Sequence, residues 1–247
     1  VSHTRPPLTI RARFCGPPSS GNGGWTAGAL AAYLAPGPVR VRLRVPPPLD
    51  VPLTVEVGED ERLGETAWVV RGDVLVAEAA PADAVVPTVP GVDAATARAA
   101  EASYAGLTSH PFPTCFVCGT ARGEGDGLRI FPGRVADDPQ GRVRVAATWT
   151  PDASLGDDTA SLPVTWAALD CVGGWAGDLE ERLMVLGSMT AHVRDLPRVG
   201  EQHVVVGSHQ GTAGRRTYTA ATLYAADGRV LGTAEHVWFA VDPKDFA

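Results

Sequence analysis

The sequence has no apolar stretch long enough to cross a bilayer. Its longest hydrophobic runs are short and broken by Gly, Arg or Asp, which excludes a transmembrane helix. It has no excess of basic charge either. Lys and Arg total 21 against 28 Asp and Glu, a formal net charge of -7, with both signs spread along the chain. Nucleic-acid binders normally show a basic face, so that class is set aside. Cysteine is scarce: Cys15, Cys115, Cys118 and Cys171 are too few for a disulfide framework in a chain of this length, and a cytoplasmic setting is expected. The opening residues Val1 to Pro7 lack the apolar segment of a signal peptide. Several signatures are missing as well. There is no Gly-x-Ser-x-Gly elbow for a serine nucleophile, no phosphate loop and no dinucleotide fingerprint.

What is present is ordinary globular material, 247 residues of which 45% are hydrophobic. That suffices for one large domain or two small ones. Leu8 to Phe14 alternates like a strand, Gly16 to Gly24 is a turn-rich loop, and Trp25 to Leu34 is an Ala/Leu-rich helix stopped by Ala35-Pro36-Gly37-Pro38. Val39 to Val45 alternates strictly, with Val and Leu on one face and Arg40, Arg42 and Arg44 on the other. Leu53 to Val57, Ala67 to Arg71 and Val74 to Ala80 are further strands. Residues 81–91 read as a linker, and Val92 to Leu107 as a helix.

The same order then recurs. Leu128 to Phe131 and Val143 to Trp149 read as strands, and a helix begins at Ser161 with Pro163 in its first turn. Met184 to Val193, Gln202 to Ser208, Arg216 to Tyr224 and Val230 to Val241 follow as strands, the last two joined by an Asp227-Gly228 turn. The duplication is one of element order, not of residues. It predicts an α+β fold of two antiparallel sheets, each wrapped around a central helix. The expected division is 1–90, a linker with a short helix over 91–113, and 114–247. One large β-barrel with helical insertions is the alternative.

Short motifs carry a resemblance. Cys115-Phe116-Val117-Cys118-Gly119 precedes Asp126-Gly127-Leu128-Arg129-Ile130. The second helix carries Trp166-Ala167-Ala168-Leu169-Asp170, the first is entered through Gly21-Asn22-Gly23-Gly24-Trp25, and the last strand reads Val230-Leu231-Gly232-Thr233-Ala234-Glu235-His236. Together these resemble the acyl-CoA thioesterase-like double hotdog family, including its thioesterase II type, over most of the chain. The resemblance implies an acyl-CoA or other acyl thioester as partner, hydrolysis to acid and thiol, and no cofactor. It implies no nucleic-acid or membrane partner and leaves pairing of chains into a homo-oligomer open. There are departures. Asn22 stands where many single-hotdog members have the His of a His-Gly-Gly entry, and Ser161-Leu162-Pro163 has no Gly pair. The family's last-strand Gln is matched here by Glu235, and its inner-strand Ser/Thr by Ser188 or Thr190. A hotdog dehydratase would need a His at a helix entry, and neither helix has one.

Thioester hydrolysis needs a base or nucleophile and donors for an oxyanion. Asp170 lies in an apolar run between Leu169 and Cys171, where burying an unpaired carboxylate costs roughly several kcal/mol, so a core Asp there implies a role. It is the expected base or nucleophile; a helix Asp turned to solvent, or one bonded to a nearby turn, is the plainer alternative. Asn22, Gly23 and Gly24 at a helix start offer donors and close backbone approach, or simply an N-cap and a turn. Glu235 and His236 are neighbours on a strand, so one of them faces the central helix, and the family match favours Glu235. Trp25, Trp166 and Trp175 are expected along the acyl tail. Cys115 and Cys118 form a single Cys-x-x-Cys without a second pair; they read as small core residues, with no metal site, although His110 and Cys171 are further potential ligands. The Arg40, Arg42 and Arg44 row fits CoA phosphates or a solvated face.

Overall fold

The computed structural model describes residues 2–83, 85–242 and 244. The strands are β1 (His3–Thr9), β2 (Val39–Leu43), β3 (Pro52–Asp60), β4 (Gly64–Arg71), β5 (Val74–Pro81), β6 (Gly133–Val135), β7 (Arg144–Trp149), β8 (Met184–Val193), β9 (His203–Ala213), β10 (Arg216–Tyr224) and β11 (Val230–Ala240). Helices α1 (Gly23–Ala31), α2 (Ala94–Ala100) and α3 (Leu162–Ala176) interrupt them.

The expected two sheets are one. Among the described residues the strands form a single antiparallel sheet in the order β1-β3-β4-β5-β2-β8-β11-β10-β9-β7-β6. The join is β2 against β8, with Val39 opposite Ala191, Val41 opposite Met189 and Arg42 opposite Ser188. Two half-sheets left apart would each expose an unpaired edge; pairing β2 with β8 satisfies both. The duplication in element order is visible in space. β1-β3-β4-β5-β2 and β7-β9-β10-β11-β8 are the same sequence of positions, and in each half the strand after the long helix sits at the join.

Two strand boundaries differ from expectation for local reasons. The first strand occupies His3–Thr9, and Ala12–Phe14 is a 3-10 turn rather than a strand end. Pro6 and Pro7 sit in an edge strand, at a register shift between Arg5 and Leu8, where a missing N–H is tolerated. Leu128 to Phe131 is not a strand. Arg129 has φ 52, which breaks the alternation, and the flanking N–H groups of Leu128 and Ile130 reach Phe116 O and Val117 O instead. The expected long helix over 92–107 is shorter: Asp93 caps α2 by accepting from Thr96 N at 2.7 Å, and 3-10 turns follow. The segment before it, whose Ala84 lies outside the described residues, is tied down. Val89 is buried and its N–H donates to Thr222 Oγ1 at 2.8 Å, while Tyr224 Oη donates to Val89 O.

Apart from Thr165 and Asp170, α3 is apolar around its whole circumference, and it is buried from Val164 to Ala176, as befits a helix enclosed by a sheet. α1 packs directly against it. The contact is set by two glycines four residues apart on one face of α1. A Cβ on Gly28 would meet Trp166 Cβ at 2.7 Å, and one on Gly24 would meet Asp170 Cβ at 2.4 Å. Trp166 and Asp170 are themselves four apart, so one stripe of α3 fits the gap that the glycines leave.

Candidate active site

The site begins with the entry to α1. Asn22 N–H donates to Phe14 O at 2.8 Å and Gly21 N–H to Pro47 O at 2.8 Å, which fixes the loop before the helix. Asn22 then caps α1: its Oδ1 accepts from Trp25 N at 2.8 Å. With its oxygen committed to the helix, its Nδ2 faces the other way and donates to Asp170 Oδ2 at 3.0 Å. Gly24 N–H donates to the same oxygen at 2.9 Å. An Asp on one helix is thus held by the N-terminus of another, where unpaired N–H groups and the helix dipole favour negative charge.

Asp170 is only 2% exposed. Burial pushes its carboxyl up to about 7, against the pull of the Gly24 N–H bond. Its second oxygen, Oδ1, is buried and has no hydrogen-bond partner among the described residues. Asp170 lines a cavity of about 260 Å³ at the join of the two half-sheets. Asn22 and Gly23 line it from the α1 entry, Leu43 from β2, Leu186 from β8 and Trp238 from β11, so the walls around the carboxylate are mainly apolar.

Comparison with known proteins places this architecture. No protein-family model matches the sequence, and no curated protein matches it. Solved structures do match. A tesB protein of Mycobacterium avium subspecies paratuberculosis superposes with a TM-score of 0.60 at 14% identity, covering 98% of this chain and 93% of that one. A conserved hot dog protein of unknown function from Alicyclobacillus acidocaldarius gives 0.62 at 14% identity, covering 98% and 94%. An acyl-CoA thioesterase II from Mycobacterium marinum gives 0.57 at 11% identity, covering 96% and 93%. The chain has a double hotdog fold.

Within this double hotdog, Asp170, Asn22, Gly23 and Gly24 meet at one point, contributed by both halves. The other expected site residues lie elsewhere. Glu235 is exposed, and it is His236 that turns toward α3, its ring lying where Gly173 has no Cβ. Ser188 and Thr190 line a groove with Glu235 on the opposite face of the sheet; Ser188 Oγ donates to Val41 O at 3.1 Å and Thr190 Oγ1 accepts from Arg40 Nε at 3.4 Å. The three tryptophans do not reach the cavity. Trp25 stacks on Phe14 with ring centroids 4.4 Å apart, Trp166 fills the space against Gly28, and Trp175 packs on Tyr104 and His110. The close contact of α1 and α3 leaves no room for an acyl tail between them. Arg42 and Arg44 both pair with Glu78, at 3.2 and 2.6 Å. No helix of the described residues is long and apolar enough to cross a membrane.

Of the two neighbours weighed in the sequence, the one facing α3 is His236 rather than Glu235. Trp238 Nε1 donates to Thr219 Oγ1 at 3.0 Å, and that hydroxyl faces His236 Nδ1 at 3.1 Å. Burial lowers the pKa of His236 to about 4, so the folded protein holds it neutral. A histidine with a depressed folded value contributes fully above its unfolded pKa, near 6.5, and destabilises the fold as pH falls from there toward 4. About 3 kcal/mol of stability is expected to be lost to this group over that window. Urea unfolding at pH 7 and pH 4.5 checks it: over that interval the loss should be smaller by about 2 kcal/mol in His236→Gln, and an equal loss in both chains would refute it.

Proposed function

We propose that the protein hydrolyses an acyl-CoA, or an acyl group on a carrier, to the free acid and the thiol. The observation that supports this most is Asp170: a buried carboxylate on the wall of a mainly apolar cavity, with one oxygen fixed by two donors and the other, also buried, without a partner among the described residues. A buried carboxylate oxygen left without a partner is uncommon in a folded interior and calls for an explanation. The mycobacterial neighbour described as an acyl-CoA thioesterase II agrees with the reading.

In the proposed reaction the free Oδ1 takes a proton from water as the water oxygen bonds to the thioester carbon. The carbonyl electrons move onto oxygen and return as the C–S bond breaks, and Asp170 gives its proton to the leaving sulfur. Gly24 N–H and Asn22 Nδ2 are occupied by the carboxylate, so they orient the base. Helix geometry leaves the Gly23 N–H without an intrahelical acceptor, and it is the donor offered to the oxyanion. The acyl chain runs along Leu43, Leu186 and Trp238. Residues 1–90 and 114–247 act as the two hotdog units, joined by 91–113, in a cytoplasmic setting. Glu235, Ser188 and Thr190 take no part.

Thiol release from acyl-CoA esters of increasing chain length tests the proposal. Release that depends on chain length is the expected result. Binding of these esters without release from any of them would overturn it in favour of a non-catalytic acyl binder.

A further inference from the structure

Cys115 and Cys118 lie in the loop before β6, and Cys171 lies in α3, yet the three sulfurs converge. Each Sγ lies within 4.8 Å of the other two, and Cys115 Sγ and Cys171 Sγ are 3.7 Å apart. All three residues are buried and line the wall of the cavity described above.

The spacing has a chemical meaning. Four-coordinate zinc holds thiolate sulfurs at about 2.3 Å, which puts two sulfurs on one tetrahedron about 3.8 Å apart. The Cys115–Cys171 pair already has that separation, and the remaining separations need to close by no more than about 1 Å, within reach of side-chain rotation.

The loop is built to present both of its sulfurs. Gly119 N–H folds back to donate to Cys115 O at 2.9 Å, closing a tight Cys-Phe-Val-Cys-Gly turn. A Cβ at residue 119 would lie 2.4 Å from Cys115 O and 2.6 Å from Pro113 O, so only glycine closes it. His110 clamps the turn from outside. Its Nδ1 accepts from Phe112 N at 2.9 Å and its Nε2 faces Cys118 O at 3.0 Å, so both ring nitrogens are occupied and His110 is not a ligand. Cys15 is separate: its thiol donates to Thr114 O at 3.2 Å.

We propose that Cys115, Cys118 and Cys171 bind one zinc ion through three thiolates, its fourth position open to the cavity. Three protein ligands and a fourth site facing a cavity is the arrangement in which zinc takes water or an exogenous thiol. The inference stands on the sulfur geometry and does not depend on the hydrolytic reading.

Cobalt(II) is the probe. The full chain, reduced and stripped with chelator under anaerobic conditions, is titrated with Co²⁺ and then with Zn²⁺. One equivalent should produce intense tetrahedral bands with sulfur-to-cobalt charge transfer, which Zn²⁺ then abolishes. Cys118→Ser should weaken binding on the order of 100-fold or more, and Cys15→Ser should bind as the parent does. Should Cys118→Ser fail to fold, alkylation of the parent decides: Zn²⁺ should protect Cys115, Cys118 and Cys171 and leave Cys15 unchanged. No charge-transfer band at excess Co²⁺, a band that survives in folded Cys118→Ser, or the absence of selective protection would overturn the site.

Discussion

Asp170→Asn is expected to slow thiol release by about 10²- to 10⁴-fold, the usual contribution of a general base, while the acyl-CoA ester still binds. The substitution is nearly isosteric. An Asn carbonyl at the position of Oδ2 still accepts from Gly24 N–H and Asn22 Nδ2, now at 2.9 and 3.0 Å, so the join between α1 and α3 is kept. What changes is the free oxygen, which becomes an amide NH₂ that cannot take a proton from water. Stability should not fall, because a buried charge is removed and no apolar contact is lost. Steady-state release, ester binding by calorimetry and a urea melt on the same preparation separate these effects. Full activity in the folded variant would remove Asp170 from the chemistry.

Gly24→Ala should damage fold and site together. Its Cβ would lie 2.4 Å from Asp170 Cβ and 2.9 Å from Trp166 O, one of them backbone, so α1 and α3 must separate. Overpacking of this kind costs about 1–3 kcal/mol. Moving the helices apart also lengthens the 2.9 Å bond from Gly24 N–H to Asp170. The urea midpoint should drop, and thiol release should fall by more than about tenfold even where the chain remains folded. Gly123→Ala is the control: a Cβ there meets nothing within 4 Å among the described residues, and neither midpoint nor rate should change. A Gly24→Ala chain as stable and as active as the parent would mean that the contact between the helices does not hold the carboxylate.

The parts of this molecule legible in its sequence are those that local chemistry dictates. β8 and β10 fall where alternation puts them, and α3 starts after Ser161 with Pro163 in its first turn. Asp170 stood out because a carboxylate inside an apolar helix is costly wherever the helix goes. Asn22 and Gly24 were visible as a cap and a turn, but not that their donors would be taken up by Asp170, 148 and 146 residues away. The phase of β11 was not legible: Glu235 and His236 are adjacent polar residues, and the choice is made by Gly173 on another element, which leaves space for an imidazole. The tryptophans misled because aromatic residues suit both a ligand wall and a helix contact, and the spacing of Gly24 and Gly28 selects the contact for Trp166. The merging of two sheets into one depends on edge pairing between β2 and β8, which no local pattern encodes. The thiol cluster was half visible, as one Cys-x-x-Cys whose third sulfur comes from α3.

The measurement that bears most directly on the proposed chemistry is a single turnover of an acyl-CoA ester in water enriched in oxygen-18, with mass analysis of the released acid and of the peptide carrying Asp170. Water activated by a carboxylate base puts one heavy oxygen into the acid and none into Asp170, and that is the expected result. Heavy oxygen in the Asp170 carboxyl would show that the carboxylate itself attacks the thioester, and would contradict its role as the base.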